Sequence, residues 1–295
     1  MARREFRDRI ISHLFFIPTL FSAALLIIMT VVLFLKSEQI LSITPVLDLL
    51  FSSSWQPVAG KFGFLPFIMG TIWVTALAML ISVPISILSA VYLSEYAHAR
   101  IREVIQPVID LLAGVPSVVY GLFGILLIVP VIKNQIAPVV GVETSGYCVL
   151  AGGLVLAIMV FPILISISFE VFRTVPLEMR EASLGLGATR WETVKFVVLK
   201  KAFPGIVAAV ILGFSRAFGE TMAVLMVVGN VAKVPQSVFD PGYPLPALIA
   251  NNYGEIMSIP LYDSALMFAA LILLLIVVAF NIIAKVVLLK VQGAR

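Results

Sequence analysis

From Leu14 to Leu35 the chain runs without a single charged side chain, and five more long apolar stretches follow it. A helix needs about 20 apolar residues to cross a bilayer. In hydrocarbon no water satisfies backbone polar groups, so such stretches fold as helices that bond internally. Hydropathy places six spans near 14–35, 66–94, 107–132, 147–169, 205–230 and 262–288. Composition agrees: 61% of residues are hydrophobic and 12% charged, against about 25% charged in an average soluble domain. The expected fold class is an all-α membrane protein of six transmembrane helices.

The N-terminus carries Arg3, Arg4, Arg7 and Arg9 ahead of an apolar run, as a secretory signal does. The run outlasts the usual signal core of about 7 to 15 residues. Its small residues Ser22 and Ala23 also lie inside it rather than after it, so it reads as an uncleaved first span. The expected division is a tail at 1–13, a membrane-spanning domain at 14–290 and a tail at 291–295. Cys148 is the single cysteine and is read as a packing residue.

Basic residues set the orientation. Fifteen of the 20 lysines and arginines fall on one side, in the two tails, the loop with Arg100 and Arg102, and the segment 173–201. Lys36, Lys61, Lys133 and Lys233 fall on the other, and Arg216 lies inside a span. By the positive-inside rule both termini and segment 173–201 are cytoplasmic, in a cytoplasmic (inner) membrane. The pI near 9.2 is thereby explained by topology and gives no reason to invoke nucleic acid.

Segment 173–201 places nine charged residues between two apolar spans. Pro176 fits a first-turn position of a short helix closed by Gly185 and Gly187. Thr189 and Glu192 have capping-box spacing and start a second helix. In that helix Trp191, Val194 and Val198 recur on one stripe, leaving Arg190 and Lys195 wet. The expectation is a protruding helical elbow; charge and periodicity alone also fit a solvated loop between spans. On the other side, 231–261 is rich in turn formers, from Pro235 to Pro260, and Pro246 to Asn252 fits about two turns of helix near the outer membrane surface. It reads as a docking surface for a partner or as an ordered cap.

The fifth apolar stretch holds Arg216 and Glu220, four residues apart and so on one face of a continuous helix. A charge at mid-membrane costs about 2.5 to 3.5 kcal/mol on insertion scales, so such residues usually face an aqueous path or a bundle interior. Mutual neutralisation is one explanation. The other is an anion path: a guanidinium presents a planar fork to a tetrahedral oxyanion, with Ser215 and Thr221 adding hydroxyls. Glu220 then accepts the OH of a protonated oxyanion such as hydrogen phosphate, whereas sulfate has no such donor. In the third stretch Pro116 frees a carbonyl, and Ser117 and Tyr120 supply polar groups that either line the path or belong to a kinked packing helix.

Enzyme chemistry is hard to assemble. The two histidines, His13 and His98, sit at span edges, and no G-x-x-x-x-G-K-[ST] loop occurs. If nucleotide drives this chain, another polypeptide binds it, and the chain itself is expected to need no cofactor or metal.

Several motifs carry a family resemblance. Glu181-Ala182-Ser183, Gly187 six positions after the glutamate, and Val197-x-Leu199 resemble the cytoplasmic EAA loop of ABC-importer permeases. Ser183 stands for the motif's second alanine and Lys200 for its usual proline. The run Ser215 to Val224, ending in Gly229-Asn230, resembles the fifth-span signature of phosphate importer permeases of the PstC type. Gly114 to Gly124 is similar to their third-span motif, and Trp55-x-Pro57-Val58 through Gly70-Thr71 to their first loop. The resemblance implies a type I ABC importer (MetI-like) permease fold and inorganic phosphate as cargo. It also implies a PstA-type second permease, two PstB-type ATPases that dock on Glu181, Ala182, Ser183 and Gly187, and a PstS-type binding protein outside. An importer of sulfate, molybdate or tungstate is the alternative, followed by a secondary transporter that needs no ATPase. A secondary transporter has no use for the elbow, and no inverted repeat is visible.

Overall fold

The computed structural model describes the backbone of residues 2–254 and 261–293, so Pro260 and the chain's last two residues lie outside the described part. Within it are six helices long and apolar enough to cross a membrane: Leu14–Ile43, Leu65–Tyr96, Ser117–Val140, Val149–Arg173, Arg190–Phe218 and Tyr262–Leu289. They are numbered here as the first to sixth spans.

The first span belongs to one helix, Ala2–Ile43, which runs unbroken out of the expected tail. Much of it is exposed within this chain, Phe15 being 69% and Ile27 65% exposed. It is anchored at its far end, where Ile40 is buried and its N–H donates to Ser264 Oγ of the sixth span at 3.1 Å. The second and fourth spans form the centre. In lipid, burying a leucine against a leucine gains little, so close packing needs small residues at the interface. Gly152 and Gly153 supply them: a Cβ on Gly153 would stand 2.7 Å from Leu77 Cδ2.

Two spans differ from expectation. The third was expected at 107–132, but the helix Ala99–Ala113 stops and a new one starts at Ser117. Pro116 has no N–H to continue the first helix and disfavours helical geometry at Val115. Hydropathy missed the break because Ile109, Leu111 and Leu112 continue the apolar run up to it. Helix Ala99–Ala113 is amphipathic: Ile109 packs inward, while Arg100, Glu103 and Asp110 stay exposed.

The fifth span was expected at 205–230. It starts earlier, because the second elbow helix, Arg190–Thr193, passes through a widened turn at Val194–Val198 directly into Leu199–Phe218. It also stops earlier, at Gly219. The chain then folds back through a short helix, Met222–Leu225, and turns at Gly229 (φ 95°) and Asn230 (φ 51°). Met222 to Val228 stays apolar because Val224, Val227 and Val228 are buried in the bundle, so hydropathy cannot see this break either.

On the side opposite the elbow, the segment after Asn230 folds inward as a cap. Its helix Leu245–Asn252 forms where expected but lies within protein rather than on a membrane surface, with Leu245 and Leu248 fully buried. The Leu245 N–H donates to Thr71 Oγ1 of the second span at 2.9 Å. Carbonyls of Asp240 and Val238 accept from Val149 and Leu150 at 2.9 and 2.7 Å, satisfying donors that the start of the fourth span leaves open. Beside the cap, a hairpin pairs Trp55–Gln56 with Lys61–Phe62, and Trp55 packs edge-on against Phe67 with ring centres 4.8 Å apart.

Gly63 closes this hairpin against Ser52. A Cβ there would collide with the Ser52 carbonyl oxygen and stand 2.7 Å from its carbon, and backbone does not move aside as a flexible side chain does. Gly63→Ala is expected to destabilise the protein by about 1 to 3 kcal/mol, the usual cost of overpacking. Thermal unfolding in detergent reads this as a lower midpoint; an unchanged midpoint would mean the loop relaxes freely.

Candidate functional site

The fold-back after the fifth span holds Glu220 and Thr221, with Ser215 and Arg216 in the helical turn just before it. Arg216 lies in the last turn of helix Leu199–Phe218, and Glu220 lies beyond its end. The two therefore do not share a face of one continuous helix, contrary to expectation, because helical spacing stops at Phe218. Among the described residues no ion pair joins them. The Arg216 side chain is exposed. Glu220 Oε1 accepts the Ala223 N–H at 3.1 Å, which caps the short helix and leaves the second carboxylate oxygen uncommitted to that bond.

The neighbouring hydroxyls have definite partners. Ser215 Oγ donates to Asn281 Oδ1 of the sixth span at 3.1 Å, a partner that sequence reading missed. Thr221 Oγ1 donates to the Gly219 carbonyl at 3.3 Å, which tightens the bend. Tyr120 is buried, and its hydroxyl donates at 2.7 Å to the Leu112 carbonyl, the acceptor that Pro116 cannot fill. Leu112 O also accepts the Val115 N–H at 3.2 Å, so the carbonyl next to the Pro116 break is shared between a backbone donor and Tyr120. Ser117 opens the third span and is half-buried.

Two glycines of the third span bring that span against the fold-back. A Cβ on Gly121 would stand 3.3 Å from Ala223 Cα, and one on Gly124 would stand 2.8 Å from Val227 Cγ1. Glu220 also lines a narrow pocket of about 10 Å³ with Thr71, Thr75 and Phe218, room for one water at most. Thr71 and Thr75 sit four apart on the second span, a spacing of hydroxyls in an apolar helix that sequence reading passed over.

The elbow is the second candidate region. Its first helix is Leu177–Gly185, with Pro176 in the capping position just before it rather than inside the first turn. Gly187 N–H donates to Leu184 O at 2.9 Å and Ala188 N–H to Ser183 O at 3.2 Å, the two bonds of a Schellman ending. That ending sets Gly187 at φ 88°, where a side chain is strained. The expected capping box forms, Thr189 accepting from Glu192 N–H while Glu192 accepts from Thr189 N–H. Val194 and Val198 are buried as predicted, but Trp191 is not; it is 55% exposed. Glu181, Ala182 and Gly187 are exposed, and Ser183 Oγ meets Thr193 Oγ1 at 2.9 Å, which ties the two elbow helices together.

Residues 82–292 match the family described as binding-protein-dependent transport system inner membrane component. The chain belongs to that family. Among relatives, it is 41% identical to the probable ABC transporter permease protein YqgH of Bacillus subtilis, over 75% of this chain and 70% of that one. It is 38% identical to the phosphate transport system permease protein PstC of Xylella fastidiosa (strain 9a5c), over 81% of this chain and 78% of that one. An inward-facing structure of the MetNI methionine ABC transporter superposes with a TM-score of 0.56 at 18% identity, covering 84% of this chain and 98% of that one. The fold is therefore the MetI-like importer permease fold, in a multi-pass membrane protein.

Proposed function

We propose that this chain is the PstC-type permease subunit of an ATP-driven importer of inorganic phosphate. The observation that carries the cargo assignment is the 38% identity to a PstC permease over 81% of the chain. In this reading the elbow side, which holds fifteen of the 20 basic residues, is cytoplasmic together with both termini. Residues 14–290 form the permease domain. A PstA-type permease completes the membrane unit, two PstB-type ATPases dock on the elbow at 173–201, and a PstS-type protein delivers phosphate from outside. ATP is hydrolysed on those ATPases and not on this chain.

Arg216 receives the anion at the end of the fifth span. Its charge is exposed within the single chain and unpaired with Glu220, so mutual neutralisation does not account for it. The Glu220 carboxylate is pinned by the Ala223 N–H through Oε1, which orients Oε2 to accept the OH of hydrogen phosphate. Ser215, Thr221, Ser117 and Tyr120 border the same region and fix its shape. Glu181, Ala182, Ser183 and Gly187 take the ATPase stroke, and rigid-body movement of the spans alternates access to Arg216.

The test is uptake of radiolabelled phosphate into proteoliposomes that hold this chain with its PstA- and PstB-type partners and saturating PstS-type protein. Uptake is expected to require ATP, and excess unlabelled sulfate, molybdate or tungstate should leave it unchanged. Uptake by this chain alone without ATP would overturn the reading in favour of a secondary transporter, and competition by one of those anions would reassign the cargo.

A further inference from the structure

We propose that Glu95 is a positioning residue that locks the elbow to the end of the second span, so that an ATPase stroke on the elbow moves that span. The inference rests on the coupling role assigned to the elbow above.

The second span ends in a widened turn, Tyr92–Tyr96, in which Ala97 N–H reaches back five residues to the Tyr92 carbonyl at 2.9 Å. A helix end leaves its last carbonyls open and carries partial negative charge, which cationic side chains complement. Two arginines take these carbonyls. Arg102 donates to Leu93 O at 3.2 Å and to Ser94 O at 3.3 Å, and Arg190 of the elbow donates to the Glu95 carbonyl while lying over the Tyr96 ring.

A third arginine takes the Glu95 side chain. Arg180, in the first elbow helix and one position before Glu181, grips the carboxylate with both edges of its fork: Nε to Oε2 at 3.2 Å and a terminal nitrogen to Oε1 at 2.9 Å. Ser94 Oγ donates to the same Oε1 at 3.0 Å. The remaining Arg180 donors reach the carbonyls of Val175 and Phe172, the latter at 2.8 Å, where the fourth span ends. Both side chains are largely shielded, 16% exposed for Arg180 and 9% for Glu95.

One guanidinium therefore ties together the end of the second span, the end of the fourth span and the helix that carries Glu181. The first elbow helix reaches the second span through this joint and not through the chain, since 85 residues separate the two partners. A bidentate pair fixes angle as well as distance, which a single hydrogen bond or an apolar contact does not. An exposed surface pair would be too weak and too mobile for this task. The shielded geometry suits it.

The test uses the full reconstituted complex with Glu95→Ala, Glu95→Gln and Arg180→Ala. The readouts are the amount of ATPase that co-purifies, the rate of ATP hydrolysis, and phosphate moved per ATP. The expected result for Glu95→Ala is wild-type ATPase stoichiometry with phosphate per ATP reduced about tenfold, a size typical of mutations that disturb coupling between sites. Glu95→Gln, which keeps the shape and one acceptor, should fall between it and wild type. A pair that only stabilises the fold would lower the yield or thermal midpoint of the complex and leave phosphate per ATP unchanged, which would overturn the proposal. Loss of ATPase co-purification would also overturn it, by making Glu95 part of docking rather than transmission. Failure of the elbow reading itself would look different: Gly187→Leu and Glu181→Lys would then keep wild-type ATP-driven uptake.

Discussion

Replacing Arg216 with leucine is expected to abolish phosphate uptake while the permease still inserts and assembles. Hydrogen bonds from a charged donor contribute about 1.5 to 3 kcal/mol each, so losing a two-pronged contact lowers uptake about a hundredfold or more. Arg216→Lys keeps the charge but loses the planar fork and is expected to retain only about a tenth of wild-type uptake. Assembly should survive because the side chain is exposed and makes no ion pair with Glu220. Glu220 needs a different choice of variant. Its Oε1 caps the short helix Met222–Leu225, so an apolar replacement removes a structural bond along with any contact to cargo. Glu220→Gln keeps that acceptor and changes only the second oxygen into a donor. It is expected to lower phosphate uptake about tenfold or more with the thermal midpoint unchanged, as for one lost bond to a charged group. Uptake is measured at matched membrane levels with saturating binding protein. Wild-type transport by Arg216→Leu would remove this residue from the path.

The span count was legible in the sequence because about 20 apolar residues in a row leave a chain few options in a bilayer. The late start of the third span and the early end of the fifth both arose where apolar character continued across a change of direction, whereas the early start of the fifth is a helix running straight on from the elbow. At Val115 the sequence held a visible cause, Pro116, whose missing N–H ends the helix before the third span. After Phe218 it held no comparable cause: the fold-back is made by burial of Val224, Val227 and Val228 and by seats at Gly121 and Gly124, which are tertiary facts. Placing Arg216 and Glu220 on one face assumed a helix that stops between them. The elbow was more readable because its signals are local, a proline before the first helix, a positive-φ glycine after it and a capping box for the second. Glu95 was not readable. An acid at the end of a span looks like an ordinary surface charge until the fold brings Arg180 to it from 85 residues away.

Bulk at Gly187 is expected to uncouple the permease from its ATPase, and a size series separates the partner's contribution from backbone strain. At φ 88° every L-residue is strained, by about 1 to 3 kcal/mol, so Gly187→Ala and Gly187→Leu share that cost. Within this chain a Cβ at Gly187 meets nothing within 4 Å. Any loss that grows from alanine to leucine must therefore come from something that docks against the elbow. Gly187→Leu is expected to lower ATP-driven uptake about thirtyfold or more, the effect of losing a contact worth about 2 kcal/mol at a docked interface. Gly187→Ala should lose far less. Glu181→Lys, on an exposed position of the first elbow helix, should weaken ATPase co-purification without lowering the amount of permease in the membrane. Equal uptake in the alanine and leucine variants would mean that strain alone acts, and normal uptake in all three would separate the elbow from coupling altogether.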